Sequence, residues 1–182
     1  MLESLAMLKN KVPLVFVTAL CLVLSGSLAQ GQADKPPAGV SNYTRIDATF
    51  ACAGATPVEA IPELKKGGFA SIINFRMPDE QGANIEESKA MAAKVGLNYV
   101  HLPFRTPTTE IADAFVKAVT DPSNQPAFIH CGAANRAASM WLIKRLEVDK
   151  WDEGRAVKEA EALGMRSANL KEFALDYAKS RR

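Results

Sequence analysis

The residues best suited to chemistry gather in one stretch, Asn124-Gln125-Pro126-Ala127-Phe128-Ile129-His130-Cys131-Gly132-Ala133-Ala134-Asn135-Arg136. Cys131 is a candidate nucleophile, and Arg136 can hold an oxyanion with a bidentate fork. Between them Gly132, Ala133, Ala134 and Asn135 are small enough for the backbone to approach a ligand closely, which makes them the candidate substrate-binding loop. Turn residues open the stretch, and Ala127 to Ile129 form a short apolar run that reads as a buried strand. Beyond Arg136 come Ala137, Ala138, Met140, Trp141, Leu142 and Ile143, apolar on nearly every side, so a helix there is a buried one. A strand, a tight loop and a helix start make an anion site. Free N–H groups point into the loop, and the helix dipole favours negative charge there. A thiol at a helix mouth beside an arginine also ionises more readily, and the thiolate is the attacking species. A cysteine alone is most often inert core. Here histidine, cysteine, small loop, arginine and helix coincide, and that points to function.

Strand and helix signals alternate along the chain that must position this stretch. Thr44 to Cys52 reads as extended, ending at Gly54. Thr56-Pro57 reads as an N-cap followed by proline at the first helical position, with a helix through Leu64 that stops at Gly67-Gly68. Ala70 to Phe75 is a buried strand, Asn84 starts a helix through Val95, and Asn98 to Leu102 is the next strand. Thr108 or Thr109 caps a helix with Ile111, Phe115, Ala118 and Val119 on one face. Helices from Asp152 to Leu163 and from Ser167 to about Lys179 close the chain, with Gly164 as the stop between them. This alternation predicts an α/β fold, a mostly parallel four- to five-stranded sheet with helices on both faces and right-handed crossovers. Ligands bind at the carboxyl ends of the strands in such sheets. If the strands are parallel, four turns share that edge: Cys52 to Gly54, Arg76 to Asp79, Pro103 to Thr108, and Cys131 to Arg136. Arg76, Asp79, Glu80, Arg105 and Glu110 are then the charged groups able to reach Cys131. Arg76 ends a buried strand and needs a partner there, which adds it to the substrate-binding candidates. His101 reads as structural, and His130 as a buried histidine that orders the loop. Neither belongs to a cluster with metal-ligand spacing, so no metal and no cofactor is expected.

His130-Cys131 through Arg136 resembles the signature loop of the cysteine-dependent protein-phosphatase superfamily, whose usual pattern is His-Cys, five residues, Arg. Only four residues separate Cys131 from Arg136. That shorter loop is similar to one branch, the beta-lactamase-hydrolase-like phosphatase-like proteins. So are Ile72-Ile73-Asn74-Phe75-Arg76, Ala53-Gly54-Ala55-Thr56-Pro57 and Tyr99-Val100-His101-Leu102-Pro103. The likeness runs from about Tyr43 to Tyr177. It implies a phosphatase fold and hydrolysis of phosphate esters in two steps. Cys131 attacks phosphorus while Arg136 and the loop N–H groups hold the oxygens, and water then hydrolyses the phosphocysteine. It also implies a general acid, commonly an Asp on a facing loop. Phe104 to Glu110 contains none, and Asp113 falls inside the next helix. Asp79 is therefore taken as the catalytic candidate, ahead of Glu80 and Glu110. Ala137 stands where phosphatases usually carry a hydroxyl that helps the cysteine leave. Both departures argue against fast hydrolysis of phosphomonoesters. The short loop keeps a rival open, since rhodanese-like sulfurtransferases hold a cysteine persulfide in a six-residue loop. A non-catalytic anion-binding module is the third reading. The expected substrate is a phosphorylated small molecule or a phosphopeptide, and the scarcity of aromatics near the loops gives no sign of a deep phosphotyrosine pocket.

The chain has 182 residues, 48% of them hydrophobic, and a net charge of +2. That is enough for one globular domain with a real core, and gives no reason to expect a nucleic-acid partner. Lys9 and Lys11 precede the apolar run Val12 to Leu24, and Ser27-Leu28-Ala29 is a small-x-Ala cleavage pattern. Residues 1–29 thus read as a signal peptide, 30–41 as a polar linker and 42–182 as the phosphatase-like domain. The run is too short for a span of about 20 residues. The expectation is a periplasmic or secreted protein without stable membrane insertion after cleavage. Cys52 and Cys131 remain after cleavage, at the same predicted sheet edge in a compartment that favours disulfides, so they are a candidate reversible redox pair.

Overall fold

The computed structural model describes residues 35–181. The expected signal peptide and the first part of the linker lie outside the described residues. The sheet has five strands: β1 (Thr44–Arg45), β2 (Phe50–Ala53), β3 (Ser71–Asn74), β4 (Asn98–His101) and β5 (Ala127–His130), in the order β1-β2-β5-β3-β4. β5 is the middle strand, parallel to β2 on one side and to β3 on the other, and β3 is parallel to β4. Only β1, at the edge, is antiparallel. The expected mostly parallel sheet is thus present, and the carboxyl ends of β2, β3, β4 and β5 open onto one edge.

Residue alternation in the central strands decides which helices cover which face. Ala51, Ala53, Ile72 and Phe128 pack on the side of α1 (Ile61–Lys66) and α2 (Ile85–Val95). Cys52, Ile73, Ile129 and Cys131 pack on the other side, against α3 (Thr109–Thr120), α4 (Asn135–Ile143), α5 (Glu153–Ala162) and α6 (Ala168–Ser180). Each residue of β2, β3 and β5 is buried, as expected for parallel strands covered on both faces.

Two local expectations are corrected. The stretch Thr44 to Cys52 is a hairpin and not one extended segment. The Asp47 carboxylate accepts from the N–H groups of Thr49 at 2.7 Å and Phe50 at 3.0 Å, and this side-chain turn reverses the chain. Thr56 does not cap a helix, because its hydroxyl donates back to the Gly54 carbonyl at 3.2 Å. Pro57 is extended, a short 3-10 turn covers Val58–Ala60, and α1 begins only at Ile61. Of the two threonines expected to cap α3, Thr108 does so, and Asp152 and Ser167 cap α5 and α6, their hydroxyl or carboxylate oxygens accepting from Ile111, Arg155 and Leu170.

α4, whose first turn carries Arg136, is fixed at its far end by a buried ionic cluster. Glu159 of α5 accepts from Trp141 Nε1 at 2.8 Å, from Arg145 Nε at 2.7 Å and from Arg145 Nη2 at 3.0 Å. The Arg145 guanidinium also lies over the rings of Trp141 and Trp151, 4.5 and 4.0 Å from their centres. Glu159→Ala would leave the indole N–H and two of the guanidinium nitrogens without their acceptor, Nη1 alone keeping Asp149 at 2.9 Å. The expected cost is about 2–3 kcal/mol, read as a lower urea midpoint with an unchanged denaturant slope.

Candidate active site

β5 delivers His130 and Cys131 to the carboxyl edge, and the neighbouring strands continue to hold them there. Phe75 N–H donates to the His130 carbonyl at 3.0 Å, and Cys131 N–H donates to the Ala53 carbonyl at 3.3 Å. The loop then turns into α4 through Ala134, which has φ 64°. That is the left-handed region, which a residue with a Cβ enters at a cost. Gly164, at φ +116°, lies directly behind, where a Cβ would sit 3.1 Å from the Ala134 Cβ. Asn135 accepts with Oδ1 from the N–H groups of Arg166 at 2.7 Å and Ser167 at 3.2 Å. Its side chain therefore braces the loop against the α5–α6 connection. Gly132 lies close against the charged groups. A Cβ there would stand 3.4 Å from Glu80 Oε2 and 3.6 Å from Arg136 Nη2.

Arg136 turns inward, with both terminal nitrogens engaged. Its Nη1 donates to the carbonyls of Phe75 at 2.9 Å and Phe104 at 2.8 Å, and to Glu80 Oε1 at 2.7 Å. Its Nη2 donates to Glu80 Oε2 at 2.8 Å. Burial disfavours the charged guanidinium, but the hydrogen bonds to Glu80 and the adjacent Cys131 outweigh it and raise the pKa. The outer edge of the fork is thus taken by carboxylate and carbonyls, while Cys131 lies within interaction distance of the same guanidinium.

Glu80 is the group that the sequence placed within reach without assigning it this role. Besides Arg136, its carboxylate accepts from Met77 N–H at 3.0 Å and from Arg76 Nε at 3.4 Å. Burial pushes its pKa up. The bonds from Arg136, from the Met77 backbone and from Arg76 pull harder and hold it at about 2. A carboxylate so held is ionised under ordinary conditions and has no proton to give.

The other candidates divide. Arg76 was expected to bind substrate, but its guanidinium donates to the carbonyls of Gln81 and Gly82 and to Glu80, which makes it the internal frame of the loop after β3. It is 6% exposed. Asp79 was expected to be the general acid. Its carboxylate is on the exposed rim, accepting from Arg105 Nη2 at 2.6 Å. Glu110 is exposed in the first turn of α3, and Asp113 accepts from the Tyr177 hydroxyl and from Arg181, both at 2.6 Å. His101 Nε2 is 2.8 Å from the Arg76 carbonyl, a structural contact. His130 is buried and its Nδ1 has no hydrogen-bond partner. Loss of solvent, with Arg76 nearby, pushes its pKa down to about 3, so it adds no positive charge beside Cys131. Cys52 and Cys131 are both buried free thiols on the same sheet face. Burial and then the proximity of Cys131 push the pKa of the Cys52 thiol up.

A cavity of about 460 Å³ opens beside Arg136, with Glu80, Arg105, Thr106, Asn135, Ser167 and Asn169 among its walls. Cys131 is 1% exposed and does not itself line it. Ser167 and Asn169 were not singled out from the sequence. They carry no charge and no motif, and only the packing of α6 beside the loop reveals them.

The family model of the beta-lactamase hydrolase-like protein, phosphatase-like domain, matches residues 43–147. The chain belongs to this family. Cys131 and Arg136 both fall within the matched residues. The beta-lactamase hydrolase-like protein of Agrobacterium fabrum is 33% identical over 104 residues, which are 54% of this chain and 24% of that protein. The chain therefore spans about a quarter of that relative's length. Among solved structures, a DUF442 protein of Shewanella putrefaciens superposes with a TM-score of 0.65 at 17% identity, covering 79% of this chain and 95% of its own. The core catalytic domain of the PP-IP phosphatase SIW14 of S. cerevisiae gives 0.64 at 18% identity, covering 79% and 87%. Likeness at this identity establishes a phosphatase fold.

The Glu80–Arg136 pair has a pH signature. The folded pKa of Glu80 lies below its ordinary 4.5. Its contribution to stability is therefore complete above that value and is lost as pH falls toward about 2. Unfolding midpoints should drop between about pH 5 and about pH 3 in the native chain. Glu80→Gln should be less stable at the upper pH and show a smaller drop.

Proposed function

We propose that this protein is an exported cysteine-dependent phosphatase that works through a phosphocysteine intermediate on a phosphorylated small molecule or phosphopeptide. The observation that supports the reading most is the fixed guanidinium. Arg136 is held at three acceptors drawn from two other loops while it stays beside Cys131 at the mouth of α4. In the first step the Cys131 thiolate attacks phosphorus, and Arg136 with the N–H groups of the 132–136 loop takes the charge on the oxygens. In the second step water attacks the phosphocysteine and returns the thiolate. Export rests on the basic, apolar and small-residue order of residues 9–29.

A second reading, sulfur transfer through a Cys131 persulfide, is favoured by one feature, the six-residue loop from Cys131 to Arg136. The two separate in parallel assays with an aryl phosphate and with thiosulfate plus a thiol acceptor. Phosphate release that disappears in Cys131→Ser supports the first reading. Sulfur transfer without phosphate release replaces it with the second, and phosphate binding without either activity leaves an anion-binding module. Arg136→Lys keeps a charge but loses the fork. It should lower kcat by about 10²–10³-fold, with stability checked separately by thermal unfolding.

A further inference from the structure

Resting on the phosphatase reading, we infer that the site acts on phosphoanhydrides and acyl phosphates, whose leaving oxygen departs as an anion, and discriminates against alkyl phosphate esters. On this reading a leaving group departs past Arg136, which stands beside Cys131, into the cavity that Arg136 lines, and the walls of that cavity decide what can leave. Glu80 is the carboxylate in that lining, and both of its oxygens are bound by Arg136. Protonating it would break the pair that holds Arg136, so the one acid within reach is committed to another task. Asp79 is outside the lining, engaged by Arg105 on the rim. Among the described residues lining the cavity, the remaining polar side chains are arginines, amides and hydroxyls, which donate hydrogen bonds but do not release protons near neutral pH. Arg105 and Arg136 outnumber Glu80 on the wall, which leaves it one net positive charge. That environment stabilises a departing carboxylate or phosphate and does nothing to protonate an alkoxide.

The bonds balance without an acid. The Cys131 thiolate forms the S–P bond as the bond from phosphorus to the leaving oxygen breaks, and that oxygen keeps the electron pair and departs as carboxylate or phosphate. Water then forms a new P–O bond as S–P breaks. The thiolate is regenerated, and the proton lost by water goes to solvent.

The test compares kcat/KM of the full chain, and of Asp79→Asn, on acetyl phosphate, pyrophosphate, aryl phosphates of graded phenol acidity and glycerol 3-phosphate. The expected result is a steep fall with leaving-group basicity. The alkyl ester should end about 10²–10⁴-fold below acetyl phosphate, the span that a general acid supplies. Asp79→Asn should show the same slope whatever its absolute rate. A flat dependence, or a slope that becomes steep only in Asp79→Asn, would overturn the inference and leave the phosphatase reading standing. Release of phosphate from none of these compounds would remove both.

Discussion

One ion pair organises the reactive edge. Arg136 leaves the first turn of α4 and reaches the carbonyl that follows β3, the carbonyl of Phe104 beyond β4, and the Glu80 carboxylate between β3 and α2. A surface pair contributes little to stability because water competes with it. This one is different, for both side chains are mostly buried, at 16% and 19% exposure, and its two parallel hydrogen bonds fix the guanidinium plane. The loops that leave β3 and β4 are thereby tied to the loop that carries Cys131. Arg76 extends the arrangement a layer deeper, closing the 77–83 loop on itself and supporting Glu80 from the side.

The electrostatics follow from that count of charges. Arg76 and Arg136 share one carboxylate, so the loop edge keeps a surplus of positive charge where an oxyanion would bind. The adjacent imidazole does not add to it, since burial keeps His130 neutral. The same surplus explains why Glu80 is held as a carboxylate so firmly. A neutral Glu80 would leave two buried guanidinium groups without their shared counter-charge.

Much of this was legible in the residues. Parallel topology followed from strand and helix alternation, and it placed the four loops on one edge. The buried run around β5 and the apolar α4 were readable because each is a continuous apolar segment. Local side-chain chemistry was the weaker guide. Asp47 turns the chain by accepting from Thr49 and Phe50, and nothing in the surrounding alternation announces it. Asp79 and Glu80 are adjacent, and a topological argument cannot say which of two neighbours faces inward. The Met77 N–H decides it by bonding Glu80, which aims that carboxylate at Arg136 and leaves Asp79 on the rim. Arg76 was recognised as needing a partner, but the partners are carbonyls of its own loop, which carry no sequence signal.

The short loop also makes demands on a part of the chain that lies beyond the family match at residue 147. With four residues between Cys131 and Arg136, the turn into α4 passes through Ala134 in the left-handed region, at a cost of about 1–2 kcal/mol. Strain of that kind persists only where the surroundings over-determine it. Those surroundings are Gly164, which alone leaves room behind Ala134, and the Arg166 and Ser167 N–H groups that grip Asn135. Ser167 and Asn169 then form one wall of the cavity. The segment that supports the loop is thus the one that shapes the space in front of it. A change in the α5–α6 connection acts on loop geometry and substrate fit together, even though the nucleophile and its arginine lie well upstream.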